Sequence, residues 1–325
     1  MKRFFFLCFA TIFLSFALFS IDVNSSINFS TELSLLNGNI SEFVFDAKNS
    51  NTDHIESQLD WDIKNIPVII IDENIDFLRY FNIEMKTLIG IPKRSGNMQD
   101  YDWLNSIYTS WKDDAPTELT NYSIHDNFLG KYISFFISAG GNIYLPAEIK
   151  LTPFITYQYE YISFASKDGY KTYKAENWVK KSFSGKVISY KQEMMALLLG
   201  LKLNINTIPH TYINLDFSLS PKMTFLNALD YHYLNQGSGG TLFWDKMANL
   251  WQINSNAVIQ YKINNNHALG ISGRIQYIPL GYGPTYSKYL DSDGNIISEK
   301  WYAQSSKGGT KRFIWSLGLN YSFSL

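Results

Sequence analysis

The stretch Ile-Asn-Leu-Asp-Phe-Ser-Leu-Ser-Pro-Lys-Met-Thr-Phe, residues 213–225, decides the fold class. Apart from its proline, its odd positions hold apolar side chains, and its even positions hold polar ones from Asn214 to Thr224. Successive side chains of a β-strand point to opposite faces, so this alternation predicts a strand with one apolar and one polar face. The same parity returns in residues 195–206 and 315–325.

Comparable alternation elsewhere predicts an all-β chain of about ten antiparallel strands. A soluble sandwich and a transmembrane barrel both use such strands, and an even strand number is typical of bacterial barrels. Several stretches exceed the roughly nine to eleven residues that cross a bilayer, which predicts a barrel that projects beyond the membrane. The further stretches lie near residues 26–37, 57–72, 77–91, 128–143, 149–165, 247–264 and 267–280.

The N-terminal residues favour the barrel. Lys2 and Arg3 precede an uncharged run, rich in Phe and Leu, that ends in Ser20. This pattern is typical of a secretory signal peptide, so we expect a signal peptide over residues 1–20 and one barrel domain over residues 21–325. An uncleaved transmembrane anchor is the alternative. A cut after Ser20 leaves Leu18 two positions earlier, whereas a cut after Ala17 places the small Ser15 there, so the mature chain would start between about residues 18 and 21.

Composition excludes several classes of function. The only cysteine, Cys8, lies in the expected signal peptide, so the mature protein would have no disulfide, thiolate metal site or cysteine nucleophile. Removing Lys2 and Arg3 leaves 26 basic residues against 29 acidic ones, which argues against a nucleic-acid partner. Aromatic residues make up 16% of the chain, as suits a barrel with aromatic girdles at both membrane interfaces.

The same alternation also predicts which face of the sheet two short acidic motifs occupy. Continuing the even register from Asn214 brings Asp230 and His232 onto the inward polar face, provided that no bulge intervenes. Asp100 and Asp102 have the same spacing, so they share a face of an extended segment. Carboxylates this close resist ionising together, and one is expected to keep or share a proton.

These four residues suggest water activation. His232 can take a proton from water near neutral pH, while Asp230 orients the imidazole and stabilises its cationic form. Asp100 and Asp102 would hold the water from the other side, and no covalent intermediate would form. The alternative is structural, since both spacings are common on solvated strand ends and loops.

The motifs resemble those of the omptin family of outer-membrane endopeptidases, in order and over nearly the whole mature chain. The motifs concerned are Ser57–Trp61 (SQLDW), Gly96–Trp103 (GNMQDYDW), Ser123–His125 (SIH), Tyr157–Gln158, Tyr190–Gln192 (YKQ) and Asp230–His232 (DYH).

The resemblance implies a ten-stranded, vase-shaped barrel in the outer membrane, with an active-site groove at its extracellular end. An aspartate pair would face an aspartate–histidine pair across a water and cleave polypeptides at the cell surface. We expect a monomer without cofactor or metal. Ser123 and His125 could be read as a serine nucleophile and its base, but the resemblance favours supporting roles for both.

Specificity is where the sequence departs from better-known omptins, which bind a basic residue before the cut with two acidic side chains. A gapped alignment of residues 42–47 with the family's first loop puts Lys48 at one of these positions, and Ala228 occupies the other. Since a lysine would repel Arg or Lys, the sequence predicts that dibasic sites are not preferred.

The outer lipid is a second point of departure. Positions that resemble the family's lipid A contacts keep Tyr157 but have Tyr159, Tyr161 and Glu193 where an acidic and two arginine residues are usual. A phosphate site without arginines is weak, so we expect activity without lipopolysaccharide, or dependence on another outer lipid.

Other interpretations of one loop segment and of the function are open. The segment Asp291–Asn295 resembles the start of a calcium loop but lacks the later glutamate, so a hairpin turn at Asp293–Gly294 is the better interpretation. A proteolytically silent adhesin would use the same barrel and its long outer loops. A small porin would conduct ions, which side chains filling a ten-stranded lumen should prevent.

Overall fold

The computed structural model describes residues 26–45, 55–104, 118–235, 239–291 and 295–325, and its twelve strands form one sheet. No helix among these residues is long and apolar enough to span a membrane. The strands are β1 (Ser26–Phe45), β2 (Ile55–Phe77), β3 (Phe81–Gly90), β4 (Lys93–Asp102), β5 (Asn121–Gly141), β6 (Ile143–Leu145), β7 (Ile149–Tyr173), β8 (Lys181–Ile205), β9 (Thr211–Asn235), β10 (Gly239–Lys262), β11 (His267–Tyr289) and β12 (Tyr302–Ser324).

The sheet closes into a ring. β1 pairs with β2 on one side and with β12 on the other, and every pairing is antiparallel. The strands β3 and β4 follow one another at a single position of the ring, since each pairs with β2 on one side and with β5 on the other. The short β6 pairs with β7 and extends its edge. The ring therefore has ten strand positions, and the prediction of an antiparallel barrel of about ten strands is confirmed.

The polarity of the barrel is inverted relative to that of a soluble protein. Along β12, Leu317 and Leu319 are 61% and 70% exposed, whereas Ser316 and Asn320 on the other face are 4% and 5% exposed. An apolar outer face suits lipid, and a polar inner face suits a lumen. We call the outward apolar side chains the apolar belt; they include Leu33, Leu35, Ile69, Ile71, Leu197, Leu199, Leu201, Leu215, Phe217, Ile271, Ile275, Trp315, Leu317 and Leu319.

The two ends of the barrel differ. We call the end that holds Ser26 and Ser324 the lower end, and the opposite end, which holds Phe45, Asp102 and His232, the upper end. β7, β8 and β9 each contain 25 residues, well beyond the roughly nine to eleven that cross a bilayer. The upper part of the barrel therefore extends past the apolar belt.

A bulge interrupts β9 in the stretch that first indicated the fold. Ser220 pairs with Gln252 and Thr224 with Leu250, so β9 has two more residues than β10 in this interval. Ser220 and Thr224 are both buried and hydrogen-bonded to each other, while Lys222 has a φ of 59° and is exposed. The prediction that Lys222 lies on the inward face is wrong, but an even number of extra residues preserves the parity of everything beyond it.

An aromatic layer fills the lumen beneath the upper end. The buried ring of Trp61 stacks between those of Tyr190 and Phe164, at centroid distances of 5.3 and 5.7 Å. These rings leave little room for an aqueous channel, in line with the narrow lumen of a ten-stranded barrel. The expected signal peptide, Cys8, Lys48 and the Asp293–Gly294 turn lie outside the described residues.

Candidate active site

Two aspartates lie at the upper end of β4, on its inner face. Asp100 is paired with Ser123 of β5, and Asp102 with Asn121. The Ser123 hydroxyl donates to Asp100 Oδ2 at 3.4 Å, and the Asn121 side-chain amide donates to Asp102 Oδ2 at 3.4 Å. Among the described residues, Asp100 Oδ1 is buried without a hydrogen-bond partner. This oxygen is thus available to a water or a substrate group.

An aspartate and a histidine lie at the upper end of β9. Asp230 Oδ2 and His232 Nε2 are hydrogen-bonded, and the ring of Phe243 meets the imidazole edge to face at 5.5 Å. The Asp230 side chain is 4% exposed and that of His232 is 28% exposed. The Asp230 carboxylate therefore orients the imidazole by a hydrogen bond, while part of the ring is exposed in the lumen.

The two pairs face each other across the upper lumen. β5, β7 and β8 separate β4 from β9 on one side of the ring, and the other five positions separate them on the other side. The charge of His232 acts on the ionisation of both Asp100 and Asp102, which requires that the groups lie near one another. The structure thus brings together the four residues singled out from the sequence.

The aspartate pair favours a shared proton. Burial raises the pKa of Asp100 well above its usual range, and the neighbouring charge of Asp102 raises it further. Burial also raises the pKa of Asp102, although hydrogen bonds from Ser57 and Asn121 oppose that shift. Close, buried carboxylates resist ionising together, which is the direction of both pKa shifts.

His232 is a stronger base than an ordinary histidine. Burial disfavours its cation, but the charge and hydrogen bond of Asp230, with the charges of Asp100 and Asp102, outweigh burial and raise the pKa of His232 to about 9. Opposite charges favour the protonated imidazole. In the free protein the imidazole is therefore mostly cationic at neutral pH.

Ser123 and His125 lie beside the aspartate pair. The Ser123 hydroxyl and His125 Nε2 are 2.7 Å apart, so these two residues do meet despite their simple alternation. His125 Nδ1 is buried with no partner among the described residues, and the ring packs 4.9 Å from that of Phe183. Burial, with the nearby charge of His232, lowers the pKa of His125 to about 4. Within the described part of the chain, no carboxylate orients this imidazole as a serine-type base requires.

Ala228 is buried on β9, paired with Gln192 of β8 and with Asp245 of β10. Asp245 is buried too, and it accepts a hydrogen bond from Thr285 at 2.6 Å. Residue 228 itself has no ionisable side chain, but Asp245, its neighbour across the ladder, has a carboxyl group. Lys48 lies outside the described residues.

Glu42 is a buried residue of the site to which the sequence alone gave no role. It pairs with Leu59, which in turn pairs with Asp100, so Glu42 and Asp100 face the same lumen two strands apart. Burial, then the charges of Asp230 and Asp245, raise the pKa of Glu42 well above its usual range. Burial raises the pKa of Asp245 to about 7. We call the upper lumen between the two pairs the groove, and we call Glu42 and Asp245 its acidic end.

Sequence reasoning missed this acidic end for a physical reason. Glu42 belongs to the alternating pattern of β1, but only the pairing of β1 with β2 shows that it lies level with Asp100. The strand β10 contains register shifts between Met247 and Gln252. Counting alternate residues along the sequence therefore does not predict which face of the sheet Asp245 lies on. Within the described residues, no group of three or more His, Cys, Asp or Glu side chains could hold a metal ion.

Comparisons with known proteins concern the sequence family and the fold of the chain. A sequence profile of the Omptin family matches residues 23–323. Over 87 residues the chain is 33% identical to the plasminogen activator of Yersinia pestis, and this stretch spans only 27% of this chain and 27% of that relative. The crystal structure of the outer membrane protease OmpT from Escherichia coli superposes with a TM-score of 0.76 at 22% identity, over 92% of this chain and 97% of that chain. The structural likeness concerns the fold.

Proposed function

Because the chain belongs to the omptin family, we propose that it is an outer-membrane endopeptidase that hydrolyses polypeptides at the cell surface. OmpT of Escherichia coli, whose structure is similar, is an outer membrane protease. The observation that carries the proposal is the pair Asp100 and Asp102 facing the pair Asp230 and His232 across the upper lumen.

In the proposed mechanism, water is the nucleophile. Asp100 and Asp102 hold it by hydrogen bonds, and the neutral imidazole of His232 removes its proton as the oxygen attacks the peptide carbonyl carbon. Asp230 keeps the ring oriented and stabilises the imidazolium that forms. When the tetrahedral intermediate collapses, His232 returns the proton to the leaving nitrogen as the C–N bond breaks. No acyl-enzyme forms.

The function is tested with refolded protein spanning residues 21–325 and a diverse peptide library read by mass spectrometry. We expect internal cleavage at a defined set of bonds. Absence of cleavage by protein whose folding is shown by heat-modified gel migration would contradict the proposal and favour the adhesin. Single-channel recordings on the same sample should show no conductance, and an open channel would favour the porin.

The pH profile should reveal the elevated basicity of His232. Only the neutral imidazole accepts a proton, and with a pKa of about 9 its neutral fraction falls as the pH drops. We expect kcat/KM to rise with pH, by roughly tenfold per unit between pH 6 and 8. Steady-state rates on one neutral peptide measure this rise. A rate that is already maximal at pH 6 would exclude His232 as the base.

Dibasic sites should not be preferred. Ala228 carries no charge, and burial raises the pKa of Asp245 to about 7, so this carboxyl group is only partly ionised at pH 7. Burial raises the pKa of Glu42 as well. We expect kcat/KM for an Arg-Arg peptide to lie within roughly threefold of that for a matched Ala-Ala peptide, less than 1 kcal/mol of discrimination. The variant Ala228→Asp is the matched comparison, because a new acid there should increase preference for the basic peptide. Strong preference by the parent protein would contradict this proposal.

Lipopolysaccharide should not be required. On the outer face, Tyr159 donates a hydrogen bond to Glu193 at 2.7 Å, so an acid lies where the resemblance places arginine. A carboxylate repels phosphate, whereas arginine binds it in a bidentate manner. We expect refolded protein to cleave peptides equally well with and without added lipopolysaccharide. Inactivity until lipopolysaccharide is added would refute this expectation.

A further inference from the structure

Two lysines of β7 and β8 lie on the same inner row as the catalytic aspartate. Asp100 pairs with Ser123, Ser123 with Lys171, and Lys171 with Lys181. Residues paired directly across a ladder project to the same face of the sheet. Lys171 is thus two strands from Asp100, about 10 Å along the wall, because neighbouring strands lie roughly 4.8 Å apart. We call Lys171 and Lys181 the basic end of the groove.

A bulge in β7 turns Lys171 toward the lumen. Lys167 pairs with Asp126 of β5, whereas Gly169 pairs with the adjacent His125, so β7 contains one extra residue at this point. An odd insertion reverses the facing of the residues beyond it. Lys167 accordingly lies outside, 4.4 Å from the ring centroid of Phe128, although Lys171 has the same sequence parity.

The backbone of the bulge is specific to glycine. Gly169 has a φ of +127°, and a Cβ atom there would lie 2.0 Å from the carbonyl oxygen of Ile124. Because Gly169 has no side chain, the rings of His125 and Phe183 approach each other across it, to 4.9 Å. The bulge is therefore a built feature of this wall.

The ammonium group of Lys171 contacts an aromatic ring but forms no ion pair within the described residues. It lies 5.3 Å from the ring centroid of Tyr173, which pairs with Asn121 in the row of Asp102. Among the described residues, no carboxylate lies within ion-pair distance of Lys171, whereas Lys181 contacts Glu176 at 2.6 Å. A lysine without a counter-ion on the wall of a groove attracts an anionic group of a ligand.

The two ends of the groove differ in their ionisable groups, with carboxyl groups at one end and lysines at the other. Glu42 lies two strands from Asp100 in one direction, and Lys171 lies two strands away in the other. A peptide bound across the catalytic residues would have one part near the acidic end and the other part near Lys171 and Lys181. Complementary potentials of this kind fix the register of a bound chain.

We infer that Lys171, assisted by Lys181, forms a subsite for the carboxylate of an aspartate or glutamate side chain of the substrate. This inference rests on the proposed function. At about 3.3 Å per extended residue, 10 Å corresponds to roughly three residues from the bond that is cut. The enzyme would therefore favour peptides with an acidic residue about three positions to one side of the scissile bond.

The test uses matched fluorogenic peptides that carry Glu, Gln or Lys at the second, third or fourth position on either side of one cleavable bond. The parent protein should favour Glu over Lys at one of these positions by roughly fivefold in kcat/KM, as expected for a solvent-accessible ion pair. Lys171→Glu should invert that ratio. The control Lys167→Glu makes the same charge change on the outer face of the same strand and should keep the parent ratio.

In the cleavage assay, two outcomes would overturn the inference: no discrimination between Glu and Lys at any position, or the parent ratio retained in Lys171→Glu. Binding of the same peptides to His232→Ala, followed by fluorescence anisotropy, separates the subsite from the chemistry. The Glu peptide should bind more tightly than the Lys peptide, and adding Lys171→Glu should reverse this order. If no peptide is cleaved but this order and its reversal are seen, the protease proposal fails and the subsite stands; equal binding refutes the subsite.

Discussion

Replacing His232 with alanine should lower kcat/KM for peptide cleavage by ~10²–10⁴-fold, the usual contribution of a positioned general base. The physical reason is that His232 is the base of the proposed mechanism, and Asp230, which is hydrogen-bonded to this ring, orients it and stabilises its cation. Asp100→Asn should cause a loss of similar scale, because the proposed mechanism uses Asp100 to hold the water, and its Oδ1 has no hydrogen-bond partner among the described residues. Initial rates on one neutral peptide measure both losses.

The control for this prediction is His267→Ala. His267 is at the lower end of the barrel, where its Nδ1 lies 2.7 Å from the hydroxyl of Tyr321, so its loss removes a histidine without touching the site. Ser123→Ala separates the water mechanism from the serine one: a covalent nucleophile would be indispensable, whereas a residue that only donates to Asp100 should cost far less. Full activity in His232→Ala would remove the proposed mechanism.

Much of the fold follows from local pattern. Alternation in residues 213–225 and 315–325 gives the strands and their apolar faces, because a side-chain period of two needs no knowledge of distant residues. The facing of Asp230 and His232 is also predicted correctly from parity, but only because the bulge before them inserts an even number of residues. A single extra residue there would have reversed the prediction.

The rest depends on pairing between distant segments, which local pattern does not encode. Lys167 and Lys171 have the same parity but opposite facing, since the odd bulge at Gly169 lies between them. Glu42 and Asp245 belong to strands far apart in the sequence, and the charge of Asp245 raises the pKa of Glu42 only because closure of the ring brings the two groups together. The hydrogen bond between Ser123 and His125 likewise depends on rotamers that alternation leaves open.

The largest expected effect on stability comes from a buried ion pair within the belt region of the lumen. Arg312 of β12 and Glu160 of β7 form a salt bridge whose side chains are 0% and 1% exposed. Glu160 Oε2 also accepts hydrogen bonds from Tyr132 at 3.4 Å and Gln158 at 3.3 Å. The pair therefore ties together strands that are remote in the sequence and in the ring.

Arg312→Leu should destabilise the folded barrel by about 3–5 kcal/mol, because removing one partner leaves a buried carboxylate without its counter-charge. The double variant Glu160→Leu/Arg312→Leu should recover most of this loss, since a neutral pair costs no desolvation of charge. Lys64→Leu is the surface control: Lys64 and Asp62 form a 2.7 Å pair with Lys64 60% exposed, and such pairs contribute at most ~1 kcal/mol. The urea midpoint of the heat-modified gel band measures all three. If Arg312→Leu is no worse than Lys64→Leu, or the double variant no better than the single one, the buried pair does not stabilise the barrel through its charges.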